Sequence, residues 1–186
     1  EIASMTKMMT VLVALEAVRN NEIRLDDEIE VSRAAAGIGG SQVYLKEGEV
    51  FTLRELLKSI MIVSANDSAH LVAEAVSGST DAFVQRMNER AGELGMRDSR
   101  FYNVHGLPFK GPKNTSTAYD MAILADALHA YPLAHQWASI WLDYFRDGTF
   151  MMVNHNRLVK TCEGVDGFKT GYYSKAWPVK KPVSTG

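Results

Sequence analysis

The chain has 186 residues, 46% of them hydrophobic and 23% charged, with a formal net charge of −2. That balance fits one globular domain, or most of one, with ample apolar material for a core, and it lacks the basic excess of a nucleic-acid binder. The single cysteine, Cys162, excludes an internal disulfide, and the longest apolar run, around Met8 to Leu15, is too short to span a bilayer.

In chain order, the apolar run after Ser4-Met5-Thr6-Lys7 predicts a helix from about Ser4 to Val18, apolar nearly all round and therefore buried at the centre of a domain. Residues 24–31 alternate at their end and suggest a short strand or extended loop, and the stretch from Ala34 to Gly40 is small and glycine-rich. Gln42 to Leu45 and Glu49 to Phe51, flanking Lys46-Glu47-Gly48, read as a small hairpin. Thr52-Leu53-Arg54-Glu55 has the form of a capping box, and the helix it opens reaches about Val63. Further helices are expected at about 68–76, 81–94, from Thr117 to before Pro132, and near 134–141. Strands are expected at 149–153 and 166–173. Helices in the middle and sparse strands near the ends make the fold class α+β. The two prolines and two lysines of Trp177-Pro178-Val179-Lys180-Lys181-Pro182 mark 177–186 as an atypical flexible tail, leaving 1–176 as the domain.

Three motifs carry chemistry. On a helix, Ser4 and Lys7 share a face, and a buried lysine loses its hydration, so a neutral Lys7 amine can take the Ser4 proton. Alone this is weak, since a chain of this length holds roughly one S-x-x-K by chance. Ser64-Ala65-Asn66 interrupts two helical patterns, where a polar turn can project into a cleft, although plain helix capping explains it about equally well. Lys169-Thr170-Gly171 is rarer, with a chance expectation of roughly a few per cent. On a strand it places an ammonium, a hydroxyl and a bare backbone along one edge, suited to an extended peptide and its terminal carboxylate. The five histidines, His70, His105, His129, His135 and His155, show no metal-ligand spacing, so neither a metal nor a cofactor is expected.

S-x-x-K, S-x-N and K-T-G in this order form the signature of penicillin-binding proteins and class A β-lactamases. The chain resembles, more specifically, the low-molecular-mass penicillin-binding proteins that act as D-alanyl-D-alanine carboxypeptidases. The likeness runs from Ile2 to Ala176, through Gly40-Ser41-Gln42-Val43, Ser64-Ala65-Asn66-Asp67-Ser68, His105-Gly106-Leu107-Pro108, Asn154-His155-Asn156-Arg157-Leu158 and Gly164 to Gly171. It implies the helix-rich part of a transpeptidase-like α+β fold with an incomplete antiparallel sheet. Ser4 would be the nucleophile, Lys7 the general base, and Ser64 a possible proton relay. Asn66, Lys169, Thr170 and Gly171 would bind the substrate, a peptidoglycan stem peptide ending in D-Ala-D-Ala. The backbone N–H groups of Ser4 and Tyr172 would form the oxyanion hole. β-Lactams would be covalent inhibitors, and no nucleic acid is an expected partner.

The pattern departs from the family at both ends. Only Glu1, Ile2 and Ala3 precede Ser4, where strands are usual, and Ala176 is followed by Trp177-Pro178 in place of Ala-Gly and two further strands. The chain therefore reads as a truncated, processed or altered form with impaired catalysis, exported to the periplasm or the outer face of the bacterial cytoplasmic membrane. Its signal peptide, and the C-terminal region through which the family associates with membrane, would lie outside the sequence. Alternatives are a peptidoglycan DD-endopeptidase, a β-lactamase, for which no deacylating glutamate motif is visible, or a non-catalytic penicillin- or cell-wall-binding module.

Overall fold

The first helix, α1 (Lys7–Arg19), is buried on almost every side from Lys7 to Leu15, as its unbroken apolar sequence requires. The computed structural model describes residues 1–107, 111–165 and 167–172, and places α1 at the centre. Around it pack α3 (Leu53–Val63), α4 (Asn66–Ser77), α5 (Thr80–Glu93) and α6 (Ala118–His129). Met8, Met9, Val11, Leu12 and Leu15 meet Leu56, Leu57, Ile60, Val72, Phe83, Met87 and Leu124 in one continuous core. Each fully buried side chain of this size contributes about 1.5–3 kcal/mol of transfer free energy, so the helix cannot shift without large loss.

Local signals set the boundaries. The Thr52 hydroxyl accepts from the Glu55 N–H at 3.2 Å and the Glu55 carboxylate accepts from the Thr52 N–H at 2.9 Å, completing the expected capping box of α3. Thr117 caps α6 in the same way, accepting from the Asp120 N–H at 3.1 Å. A short helix, α7 (Pro132–Ala138), starts on a proline, which has no N–H to leave unpaired. Two smaller ones complete the set, α2 (Arg33–Ala36) and α8 (Leu158–Thr161).

The strands form two antiparallel ribbons. β1 (Glu28–Glu30) pairs with β2 (Val50–Thr52), Ile29 opposite Phe51; β3 (Leu142–Phe145) pairs with β4 (Phe150–Val153), Leu142 opposite Val153. The α+β class holds. Three expectations change. Residues 42–45 are not a strand: the Val43 and Leu45 N–H groups donate to the buried Asp67 carboxylate at 3.1 Å, and β2 finds its partner at 28–30 instead. The partner of β4 at 142–145 has only a short, half-exposed pattern and gives no clear signal in sequence. Residues 167–172 belong to no strand, although a strand is expected over 166–173; Asp166 and Tyr173 lie outside the described residues, as does the expected tail at 177–186. Among the described residues, no helix is long and apolar enough to cross a membrane.

Candidate active site

Ser4 sits in a 3₁₀ turn (Ala3–Thr6) that leads into α1, not in the α-helix itself. With three residues per turn, side chains at i and i+3 eclipse, so S-x-x-K stacks the lysine beneath the serine. Lys7 Nζ lies 3.2 Å from Ser4 Oγ and donates to the His105 carbonyl at 2.7 Å. Lys7 is completely buried. Burial first, and then the neighbouring Lys169 ammonium, push its pKa well below the ordinary lysine value, against a smaller upward pull from Asp67.

The His105 loop is fastened to the same turn. The Thr10 hydroxyl donates to the Val104 carbonyl at 2.6 Å. The Asn114 amide donates to Thr6 Oγ1 and to the Asn103 carbonyl, both at 2.9 Å, while its oxygen accepts from the Tyr102 N–H at 2.7 Å. Gly106, at φ +82°, lets the loop pass so close that a Cβ there would stand 1.9 Å from the Ala3 carbonyl oxygen. The His105 ring accepts from the Leu107 N–H at its Nδ1, and burial with the nearby Lys7 brings its pKa down to about 3. It is a neutral ring at physiological pH.

The second motif forms the break between α3 and α4. Ser64 takes the left-handed conformation (φ 62°, ψ 35°) that ends α3, and Asn66 opens α4. The Asn66 N–H donates to the Ser41 carbonyl at 2.7 Å and its side-chain amide to the Gly39 carbonyl at 2.8 Å. A Cβ on Gly40 would come within 2.6 Å of that amide nitrogen, so the glycine-rich loop rests directly on Asn66. Ser64 Oγ and Asn66 Oδ1 are buried polar atoms without a hydrogen-bond partner among the described residues. Asp67 ties this motif to the loop through Val43 and Leu45, and burial raises its carboxyl above the ordinary value despite those N–H donors.

The third motif comes in against the first. A Cβ on Gly171 would lie 3.0 Å from the Ile2 carbonyl oxygen and 3.2 Å from Met5 Cγ, so this segment runs alongside the turn that carries Ser4. Lys169 is buried, which lowers its pKa to about 7, and its charge acts on Lys7. Thr170 and Gly171 are half-buried, and the Tyr172 ring is exposed.

Residues 1–178 match the family described as D-alanyl-D-alanine carboxypeptidase. The chain belongs to that family. It is 45% identical over 177 residues to the D-alanyl-D-alanine carboxypeptidase DacF of Bacillus subtilis, an alignment covering 94% of this chain and 45% of the relative. Among solved structures, it superposes on a peptidoglycan synthesis regulatory factor (PBP3) from Streptococcus pneumoniae with a TM-score of 0.87 at 28% identity, covering 95% of this chain and 54% of that one. It superposes on penicillin-binding protein D2 from Listeria monocytogenes, solved in its ampicillin-bound form, with a TM-score of 0.83 at 29% identity, covering 94% and 70%. The chain spans about half the length of the curated relatives it matches.

Two of the motifs named from sequence are thus brought together, Ser4 with Lys7, Lys169 within electrostatic reach of Lys7, and Gly171 against the Ser4 turn; of the second motif, Asn66 contacts the glycine-rich loop, and its neighbour Asp67 is the residue that acts on Lys7. Sequence reasoning missed the supporting parts. The His105 backbone carbonyl has no side-chain signature, and Asn114 lies in a loop that reads only as Gly-, Pro- and Asn-rich. Asp67 reads in sequence as an ordinary acidic residue in the polar first turn of α4, and its burial and its N–H donors from Val43 and Leu45 appear only in the fold.

Proposed function

We propose that the protein is a serine-type D-alanyl-D-alanine carboxypeptidase that works through an acyl-enzyme on Ser4. The observation that carries this is the fully buried Lys7 amine 3.2 Å from the Ser4 hydroxyl, with a second ammonium nearby and a carbonyl holding it in place. A neutral amine reverses the sense of that contact: its lone pair accepts from the Ser4 O–H while its own N–H donates to His105. As the Ser4 oxygen attacks the carbonyl between the two D-alanines, Lys7 takes the proton. The tetrahedral oxyanion is met by the backbone N–H groups of Ser4 and Tyr172. The proton then passes to the departing D-alanine nitrogen, directly or through Ser64, and the peptide C–N bond breaks. Water attacks the remaining ester with Lys7 again as base, freeing Ser4 and the shortened stem peptide.

Binding follows from the other two motifs. Lys169 and the Thr170 hydroxyl receive the terminal carboxylate, and the Asn66 amide, fixed by Gly39, orients the peptide backbone. A β-lactam offers the same carbonyl and carboxylate and leaves the ester stranded; the ampicillin-bound Listeria relative supports that reading. A cell-wall substrate places the protein on the outer side of the bacterial cytoplasmic membrane.

Fluorescent penicillin should label the chain stoichiometrically at Ser4 and should not label Ser4→Ala. Release of D-alanine from a pentapeptide analogue then separates a carboxypeptidase from a non-catalytic binding module. Labelling without D-alanine release, or labelling unaffected by Ser4→Ala, would overturn the proposal.

A further inference from the structure

Away from Ser4, at the corner where α6 meets α7, two imidazoles face one another. His129 is the last residue of α6 and His135 lies within α7. His135 Nε2 and His129 Nδ1 are in direct contact, and the rings are nearly perpendicular, with centroids 4.1 Å apart and planes at 86°. His135 also packs on Phe168, centroids 4.5 Å apart, two residues before Thr170 and immediately before Lys169. The histidines are six apart in sequence, a spacing no single helix would use to pair them. The turn at 130–131 and the Pro132 start of α7 bring them together.

We infer that His129 Nδ1 and His135 Nε2 form a two-histidine site for a borderline divalent cation of the Zn²⁺, Ni²⁺ or Cu²⁺ class. Each nitrogen carries a lone pair in one neutral tautomer, and the two face one another from nearly perpendicular rings. In the metal-free pair one nitrogen must donate its N–H to the other. Shifting whichever ring is the donor to its other neutral tautomer exposes both lone pairs without any net proton release. Zinc–imidazole bonds are about 2.0–2.1 Å, which sets two ligand nitrogens on one ion roughly 3 Å apart. A small parting of the rings therefore suffices, and the exposed position of His129 at a helix end permits it. Among the described residues no group of three His, Cys, Asp or Glu is placed to hold a metal, so the two imidazoles alone are inferred as protein ligands. Soft and borderline cations prefer imidazole over the oxygen ligands that Mg²⁺ and Ca²⁺ require, so the hard cations are excluded. Bound metal would pin α6 to α7 and fix the ring that supports Phe168, beside the Lys169 segment. This site does not depend on the acyl-transfer reading.

The test titrates the full 186-residue chain, freed of metal with EDTA and dialysed, with ZnCl₂ and separately with MgCl₂, by calorimetry. One equivalent of Zn²⁺ should bind and Mg²⁺ should not. Long-range ¹H–¹⁵N spectra should show the perturbed ring nitrogens to be Nδ1 of one histidine and Nε2 of the other. His129→Gln, a change at an exposed residue, should weaken zinc binding by about tenfold or more, while His70→Gln should leave it unchanged. His135→Gln gives the same result if it folds; the nitrogen spectra of the unsubstituted protein decide the question if it does not. No saturable zinc binding up to millimolar concentration, or binding that survives His129→Gln, would overturn the inference. Fluorescent penicillin labelling of Ser4 reads out separately, so either idea can fail alone.

Discussion

Lys7 and Lys169 are both buried ammonium-bearing side chains in one site, yet the chain holds them in different ways. Lys7 begins a 13-residue helix surrounded by four others, its amine is bound by the His105 carbonyl, and the loop carrying that carbonyl is fastened by Thr10, Asn103 and Asn114. Lys169 sits in a stretch, 167–172, that belongs to no strand or helix and leans on the Ser4 turn through Gly171 and on His135 through Phe168. Helical packing can largely complete itself locally, because all but the terminal backbone groups are paired within their own segment. A strand needs a neighbour for its N–H and C=O groups, so a carboxylate-receiving edge is the part of such a site most exposed to what lies beside it. On the proposed function, the Ser4–Lys7 half that would acylate is the more firmly built, and the Lys169 half that would receive the carboxylate is the one that conditions can tune.

The largest way to break this contrast is at Lys7. Lys7→Met keeps the shape of the buried chain and removes the base, so penicillin labelling of Ser4 should slow by about 10²–10⁴-fold. The fold should survive: the lost bond to the His105 carbonyl costs on the order of 1–2 kcal/mol in a urea titration. A labelling rate within a few-fold of the unsubstituted protein would remove Lys7 from the mechanism.

Gly106→Ala tests whether the rigid half depends on its loop. The position combines a left-handed φ with a Cβ that would meet the Ala3 carbonyl oxygen at 1.9 Å, a backbone atom that cannot swing aside. A loss of about 2–4 kcal/mol in unfolding free energy is expected, from the left-handed penalty and forced backbone movement together. Because the displaced atoms belong to the turn carrying Ser4, labelling should slow as well, even at a denaturant-free temperature where the protein remains folded. Wild-type stability in this variant would mean that the loop is free to move.

The same contrast explains what could be read from the sequence. α1 and α3 to α7 announce themselves by period, cap or a proline start, as with Thr52 and Glu55, Thr117 and Asp120, and the unbroken apolar run of α1, whereas the four-residue α2 lies in a stretch that reads only as small and glycine-rich. The three motifs single out the side chains proposed to react because such roles require particular side chains at particular spacings. Backbone roles leave no such trace. The His105 and Gly39 carbonyls, which hold Lys7 and Asn66, could be contributed by any residue type, and residues 42–45 look like a strand until Asp67 is seen to take their N–H groups. The lack of a ladder at 167–172 leaves no trace in those residues, since Gly-Phe-Lys-Thr-Gly-Tyr itself reads as extended chain.

At the receiving half, pH supplies the test. Burial lowers Lys169 to about 7, so its positive charge, present below that value, is lost as pH rises. Lys7 must lose its proton to act as base, so the labelling rate should climb with pH on Lys7 deprotonation and fall on Lys169 deprotonation, a bell whose two apparent values belong to the coupled pair. On the alkaline side the rate should drop by about tenfold per pH unit once Lys169 is largely neutral. Lys169→Arg, which stays charged, should abolish the alkaline fall at the expense of geometry. Stability runs the other way. Between about 7 and the ordinary lysine value of 10.5 the unfolded chain binds the proton that the folded chain has shed, so the unfolding free energy, and with it stability, rises with pH across that window.

The smallest expected effect concerns the link between the two halves. Arg146, in the turn between β3 and β4, donates to both Glu49 carboxylate oxygens, at 3.0 and 2.7 Å, and to the Val43 and Tyr44 carbonyls, with its guanidinium over Phe51 and Phe145. It ties the hairpin that precedes the Lys169 segment to the loop that Asp67 ties to the second motif. Glu49 is held below the ordinary carboxylate pKa by the same bond. Arg146→Ala should cost about 1–2 kcal/mol, more than an exposed pair because the ions are three-quarters buried and paired by two bonds. If the rigid half is self-sufficient, the rate of Ser4 acylation at saturating penicillin should hold while the concentration for half-maximal rate rises. A fall in the saturated rate instead would show that the hairpin helps to place Ser4 and Lys7, and the two halves would then be one mechanical unit.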